Sequence, residues 1–176
     1  MKNLWAGIDL GLQTAAIAFL RGGTAAPWIL ESVDILSLPS GSVEERLDRY
    51  RTWLKMQMSK VTPHEVEGVF IEKPFVGKNI RSALLLGTLQ GVTWTLLKEA
   101  DWPALELLEP VRIKKALTGR GSASKAQVAA WLSHYLAPHT PLPPNHHATD
   151  AIAIAIAGAL SQNSAITRTF TSRAER

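Results

Sequence analysis

The chain of 176 residues is long enough for one domain with a substantial apolar core, and too short for two domains of ordinary size. It contains no cysteine, which excludes disulfides, thiolate metal sites and cysteine nucleophiles. The net charge is +4, and no apolar run approaches the roughly 20 residues that span a bilayer, so we expect a cytoplasmic protein without membrane contact.

Hydrophobic periodicity and turn residues predict alternating strands and helices. In chain order we expect strands at 4–9, 14–20 and 28–36, a helix to about 60, a strand at 66–71, a helix at 79–99, a strand at 104–109, and helices at 110–117, after Ser122 and at 146–161. Ser42 followed by Glu45 predicts a capping box at the first helix. This order predicts an α/β fold with one mixed five-stranded sheet and helices on both faces. The domain should span 1–161, followed by a flexible basic tail at 162–176.

Residues 150–160 alternate isoleucine and alanine, a pattern that also fits a strand. We predict a helix because alanine dominates the segment and Asn145 is placed to cap it. A helix that is apolar on all sides should be buried.

Three carboxylates stand at the ends of apolar segments: Asp9 and Glu72 end strands, and Asp150 begins the last helix. Carboxylates beside a core are costly unless they are paired or bind a metal. If the three converge, their repulsion favours divalent cations, and hard oxygen ligands suit Mg²⁺ or Mn²⁺. Two such ions about 4 Å apart support phosphodiester hydrolysis.

Five segments resemble the motifs of one known family, in order and spacing. They are Gly7 to Gly11 (GIDLG), Phe70 to Asn79 (FIEKPFVGKN), Ser82 to Gly87 (SALLLG), Ile113 to Val128 around a glycine-rich turn, and His147 to Ala155 (HATDAIAIA). Together they resemble the RuvC Holliday-junction resolvases of the RNase H-like superfamily, from residue 4 to about 160.

The resemblance implies a homodimeric, metal-dependent endonuclease that cuts two opposed strands of a four-way DNA junction during recombination and repair. Asp9, Glu72 and Asp150 match three of its four metal-binding acidic positions, with two Mg²⁺ ions per site and Mn²⁺ as a substitute. Lys114 and Lys125 match its basic residues near the scissile phosphate, and we count Lys125 among the catalytic residues. Phe75 matches an aromatic side chain that stacks on an unpaired base.

The chain departs from the family pattern at His147, where most members have an aspartate and some have histidine. His147 and Asp150 are three residues apart, so on a helix they share a face. We expect His147 to complete the site, either as a neutral metal ligand or as a cation beside the phosphate. His146 is the competing candidate.

Basic residues outnumber acidic ones nine to four between Lys73 and Lys125. This surplus favours a polyanionic partner, although solvated lysines give the same count. The candidate DNA-binding residues are Phe75, Lys78, Arg81, Lys114, Lys115, Arg120 and Lys125. Ala83, Gly87 and Gly91 form a stripe of small residues that predicts close helix packing, either across a dimer or onto the chain's own sheet.

Three other functions remain open. A nuclease of the same fold could prefer forks or flaps, and a chain with a dead site could bind branched DNA without cutting it. The opening Ile-Asp-Leu-Gly also occurs in ATPases and sugar kinases, but those need two such domains around the nucleotide. We therefore expect no nucleotide cofactor.

Overall fold

The computed structural model describes residues 3–23, 27–38, 40–74 and 80–174, with side chains as far as residue 162. The strands are β1 (Leu4–Leu10), β2 (Thr14–Arg21), β3 (Ile29–Ser37), β4 (Val66–Glu72) and β5 (Leu105–Leu108). The helices are α1 (Val43–Met58), α2 (Ile80–Glu99), α3 (Pro110–Thr118), α4 (Lys125–Tyr135) and α5 (His146–Ala174), and a short 3₁₀ turn covers Pro63–Glu65. These elements confirm the predicted order.

The strands form one sheet in the order β3-β2-β1-β4-β5. The first three strands pair antiparallel as a meander. β4 then joins β1 in parallel, and β5 joins β4 in parallel. The predicted mixed five-stranded sheet is confirmed.

Each face of the sheet carries its own apolar core. Helices α1 and α2 cover one face, where side chains such as Ile8, Ile71 and Tyr50 are buried. Helices α3, α4 and α5 cover the other face, with Phe70 and Ile152 among the buried side chains. Because neighbouring residues of a strand point to opposite faces, the residues after Ile8 and Ile71 point toward α5.

Helix α5 lies almost on the backbone of β1. A Cβ atom on Gly7 would collide with the Ala151 carbonyl oxygen, and one on Gly158 would collide with the Phe70 ring. The two glycines therefore permit a close approach that fixes the start of α5 against the end of β1. The alternating isoleucine and alanine segment is helical and buried, as predicted.

The start of α4 and the end of α5 differ from the sequence prediction. The cap of α4 is Ser124, not Ser122, and it forms a reciprocal capping box with Gln127. Ser122 has Lys125 three residues later, which has no acceptor to return the bond. Helix α5 runs to Ala174, past its predicted end at 161. Within the described ranges, no helix is both long and apolar enough to cross a bilayer.

Candidate active site

Asp9 and Glu72 stand at the same end of two adjacent parallel strands. The β1–β4 register pairs Ile8 with Ile71, so the next residue on each strand is the carboxylate. Both side chains point to the face covered by α5. The parallel register of β1 and β4 therefore places the two carboxylates side by side.

The first turn of α5 supplies the next two functional side chains. The Asn145 Oδ1 atom accepts a hydrogen bond from the His147 backbone N–H at 2.9 Å, which confirms the predicted cap. His147 and Asp150 then follow on one side of the first turns, as their spacing predicts.

His147 contacts Asp9 directly. Its Nδ1 lies 2.6 Å from Asp9 Oδ2, and both side chains are largely shielded, with 25% and 16% exposed. Because an ionised carboxylate can only accept, the proton of this bond resides on Nδ1. A Cβ on Gly11 would lie 3.7 Å from the His147 ring, so the β1–β2 turn also borders the histidine. The exposed His146 ring contacts the His147 ring at a tilt of 37°, with the ring centroids 4.1 Å apart.

Lys125 begins α4 and reaches across to Asp150. Its Nζ lies 2.8 Å from Asp150 Oδ2. The Ser124 capping box sets where α4 starts, and the Tyr135 hydroxyl donates to the Leu117 carbonyl at 3.0 Å, tying α4 to α3. The lysine side chain itself remains three-quarters exposed, so a phosphate can approach it.

A small pocket of about 70 Å³ joins these elements. Its polar lining consists of Glu72, Lys114, Lys125 and Asp150, and its apolar lining includes Ile113, Val128 and Ile154. The pocket therefore combines two carboxylates and two ammonium groups with an apolar lining.

Burial and mutual repulsion govern the carboxyl pKa values. Burial raises the pKa of Asp9 above its ordinary value, His147 opposes the rise, and Asp150 adds to it. Burial also raises the pKa of Glu72, with further contributions from the charges of Asp9 and Asp150. The hydrogen bond to Asp150 raises the pKa of Lys125. The three carboxylates are thus close enough to disfavour one another's ionisation.

The donor set suits a hard divalent cation. Three carboxylates and one imidazole supply oxygen and nitrogen ligands, and added positive charge would relieve the repulsion between the acids. In the part of the chain that the structure describes, no three such side chains lie close enough together to hold a metal ion as they stand. Asp9 bonds His147 and Asp150 bonds Lys125, each through Oδ2. The second oxygen of each carboxylate is therefore left for a metal, and the side chains must move closer together to share one.

The other predicted DNA-binding residues lie outside the pocket. Arg81, Lys115 and Arg120 are exposed on α2, on α3 and in the following turn. That turn is glycine-rich as predicted, with Gly119 at φ 74° ending α3. Phe75 and Lys78 lie outside the described residues, so their roles stay predictions.

The glycines of the stripe on α2 line an open groove at the edge of the sheet, beside Leu105 and Leu107 of β5. A Cβ on Gly87 or Gly91 would meet nothing within 4 Å, which removes packing on the chain's own sheet as the reason for these glycines. Exposed apolar side chains surround them, namely Ile80, Leu84, Trp94 and Leu107.

Sequence reasoning missed two ion pairs, Lys125–Asp150 in the pocket and Lys73–Glu109 beside it. Lys73 Nζ lies 2.7 Å from Glu109 Oε1, joining the residue after Glu72 to the residue before α3. The only signal in the sequence is that both residues follow strands that end at the same edge of the sheet.

Comparison with known proteins identifies the family to which the chain is similar. Residues 5–158 match the family described as crossover junction endodeoxyribonuclease RuvC. A Porphyromonas gingivalis relative of that name is 40% identical over 64% of this chain and 61% of its own length. One from Carboxydothermus hydrogenoformans is 32% identical over 88% of this chain and 94% of its own. Thermus thermophilus RuvC, solved in complex with a Holliday junction substrate, superposes with a TM-score of 0.83 at 25% identity, covering 93% of this chain and 96% of that one. The match over residues 5–158, together with relatives above 30% identity, shows that the chain belongs to the RuvC family.

Proposed function

We propose that this chain is a divalent-metal-dependent endonuclease that hydrolyses phosphodiester bonds in four-way DNA junctions. The observation that carries the proposal is that Asp9 and Glu72 stand at adjacent ends of β1 and β4, and that Glu72 and Asp150 line one pocket beside Lys125. Membership in a family of crossover junction endodeoxyribonucleases supports both the reaction and the substrate.

Asp9, Glu72, Asp150 and His147 would hold the metal, which we take to be two Mg²⁺ ions, with Mn²⁺ as a substitute. Such ions stabilise the attacking and leaving oxygens of a phosphodiester hydrolysis. The carboxylates arrive from the ends of β1 and β4 and the first turns of α5, so the sheet and helix fix the backbone of each residue before DNA binds, and the side chains would close around the metal.

His147 holds Asp9 in place. The 2.6 Å bond from Nδ1 fixes both the imidazole ring and the carboxylate. With Nδ1 occupied, Nε2 remains to contact a metal or a phosphate oxygen. This arrangement favours His147 over His146, since no bond joins the His146 ring to any of the three carboxylates among the described contacts.

Lys125 and Lys114 would neutralise phosphate charge at the pocket. Lys125 is exposed and paired with a single carboxylate, and Lys114 lines the same pocket from α3. Binding of a phosphate to Lys125 would release Asp150 for metal coordination. Arg81, Lys115 and Arg120 would extend the contact along the DNA backbone, where charge alone sets the affinity. Phe75 and Lys78 would act from the segment after Glu72.

The protein would act as a homodimer through the exposed face of α2. Gly87, Gly91, Trp94, Leu105 and Leu107 line a groove of about 480 Å³ on this face. Glycines with open space beside them allow a second helix to approach closely. A two-fold dimer places one site on each of two opposed strands, which suits symmetric cutting.

A panel of labelled four-way junction, fork, flap and duplex DNAs tests the proposal. With Mg²⁺ or Mn²⁺ we expect paired cuts in the junction, none in duplex, and no cutting in EDTA. Faster cutting of forks or flaps would instead assign the chain to another branched substrate. Tight junction binding without cutting in either metal would identify a binding protein.

A further inference from the structure

Lys73 is held at both its backbone and its side chain by the end of β5. Its Nζ lies 2.7 Å from Glu109 Oε1, and its backbone N–H donates to the Leu108 carbonyl at 2.8 Å. The two partners are consecutive residues. The chain leaving Glu72 is therefore tied to the segment that enters α3.

Glu109 is the N-cap residue of α3 but makes no capping hydrogen bond with its side chain. The N-cap side chains that usually accept from a backbone N–H of the first helical turn are the shorter ones of Ser, Thr, Asp and Asn, and glutamate is not among them. Here Pro110 occupies the first helical position, where its missing N–H costs nothing, and the Glu109 carboxylate is directed to Lys73. The Glu109 carboxylate therefore pairs with Lys73 and does not cap α3.

The pair stands between two walls of the active-site pocket. Glu72 directly precedes Lys73, and Pro110 directly follows Glu109 and begins the helix that carries Lys114. Glu72, Pro110 and Lys114 all line the pocket. We propose that Lys73 and Glu109 are positioning residues that set Glu72 against Lys114, a role that rests on the proposed junction cleavage. In this proposal Lys73 affects the site through its bond to Glu109, and its ammonium group does not bind DNA.

The effect should be modest, because both side chains are about half exposed. Exposed ion pairs correspond to an effect of up to about five-fold on an equilibrium. A single substitution cannot separate a positioning role from a lost phosphate contact, since both remove a positive charge. Exchanging the two charges can, because the exchange keeps the pair and the net charge.

The experiment compares Lys73→Glu, Glu109→Lys and the double variant in cleavage of a labelled four-way junction. Each single variant should lower kcat about two- to five-fold with little change in KM, and the double variant should return kcat to within about two-fold of the original. Asp48 and Arg51 form an ion pair on α1, away from the site, with similar exposure. The exchange Asp48→Arg with Arg51→Asp is the matched control and should leave cleavage unchanged.

A second readout needs no DNA. Amide hydrogen exchange at residue 73 reports the bond to the Leu108 carbonyl; its protection factor should fall several-fold in each single variant and recover in the double variant. Unchanged protection in the single variants, or a double variant as impaired as Lys73→Glu, would overturn the positioning role. A wild-type protein that cuts no junction would refute the proposed function alone, and the exchange rates would still decide whether the pair holds Lys73.

Discussion

His147 Nδ1 and Asp9 Oδ2 lie 2.6 Å apart although 138 residues separate them in the chain. The contact joins the first turn of α5 to the end of β1, where Gly7 lets the helix approach the strand. It gives the histidine a fixed orientation beside the carboxylates.

Replacement of His147 tests this contact. His147→Ala should lower junction cleavage at least about ten-fold, because Asp9 loses its hydrogen-bond donor and the site loses one ligand. His147→Asp should retain metal-dependent cleavage, since a carboxylate can serve as a ligand. The measurement is single-turnover cleavage at several Mg²⁺ and Mn²⁺ concentrations.

His146→Ala is the matched control for that series. It should cleave near the wild-type rate at saturating metal. Wild-type cleavage by His147→Ala, together with loss in His146→Ala, would transfer the role to His146.

The lysines at the pocket should appear in the salt dependence of binding. Each lost phosphate contact lowers the slope of log affinity against log salt by about one. Lys114→Ala with Lys125→Ala should therefore reduce the slope for a four-way junction by about two and slow cleavage further. Lys98→Ala, on the exposed last turn of α2, is the control. An unchanged slope in the double variant would place both lysines away from the DNA.

Glu72 links stability to pH in the metal-free protein. Burial raises its pKa above the ordinary 4.5, so the folded state holds the proton more tightly than the unfolded state. The stability linked to this carboxyl is present below pH 4.5 and is lost as the pH rises through the raised folded pKa. Glu72→Gln should therefore increase the free energy of unfolding in EDTA at pH 7, and the gain should vanish near pH 4.

Urea unfolding at the two pH values measures this effect. Glu67→Gln, at an exposed position of the same strand, should change little. Added Mg²⁺ should stabilise the wild-type protein more than Glu72→Gln. Equal stability of wild type and Glu72→Gln at pH 7 in EDTA would contradict the claim that ionised Glu72 destabilises the metal-free fold.

The exposed face of α2 should mediate dimerisation. Trp94 is 59% exposed beside the open glycines, and Trp94→Glu would place a charge in the proposed interface. We expect this variant to sediment as a monomer and to lose paired cutting of the junction. Trp131→Glu, on α4 and 46% exposed, should remain dimeric. A dimeric Trp94→Glu protein would exclude this face.

The order of elements and the site carboxylates were predictable because both depend on local patterns. Asp9 and Glu72 each end an apolar segment, which marks the end of a strand. The resemblance to family motifs adds Asp150 to the same site. The Ser124 cap was missed because two serines precede α4, and only the reciprocal bond with Gln127 distinguishes them. Lys125–Asp150 and Lys73–Glu109 were missed because such pairs join residues 25 and 36 positions apart, through packing that no local pattern encodes.

Cleavage of a labelled four-way junction by the wild-type protein and Asp9→Asn tests the central claim most directly. The wild type should make paired cuts in Mg²⁺ and none in EDTA. Asp9→Asn should bind the junction with nearly unchanged affinity and lose at least about 99% of the cleavage rate, because the metal site loses a carboxylate while the basic surface remains. Cleavage by Asp9→Asn at more than a few per cent of the wild-type rate, or wild-type cleavage that persists in EDTA, would contradict the account.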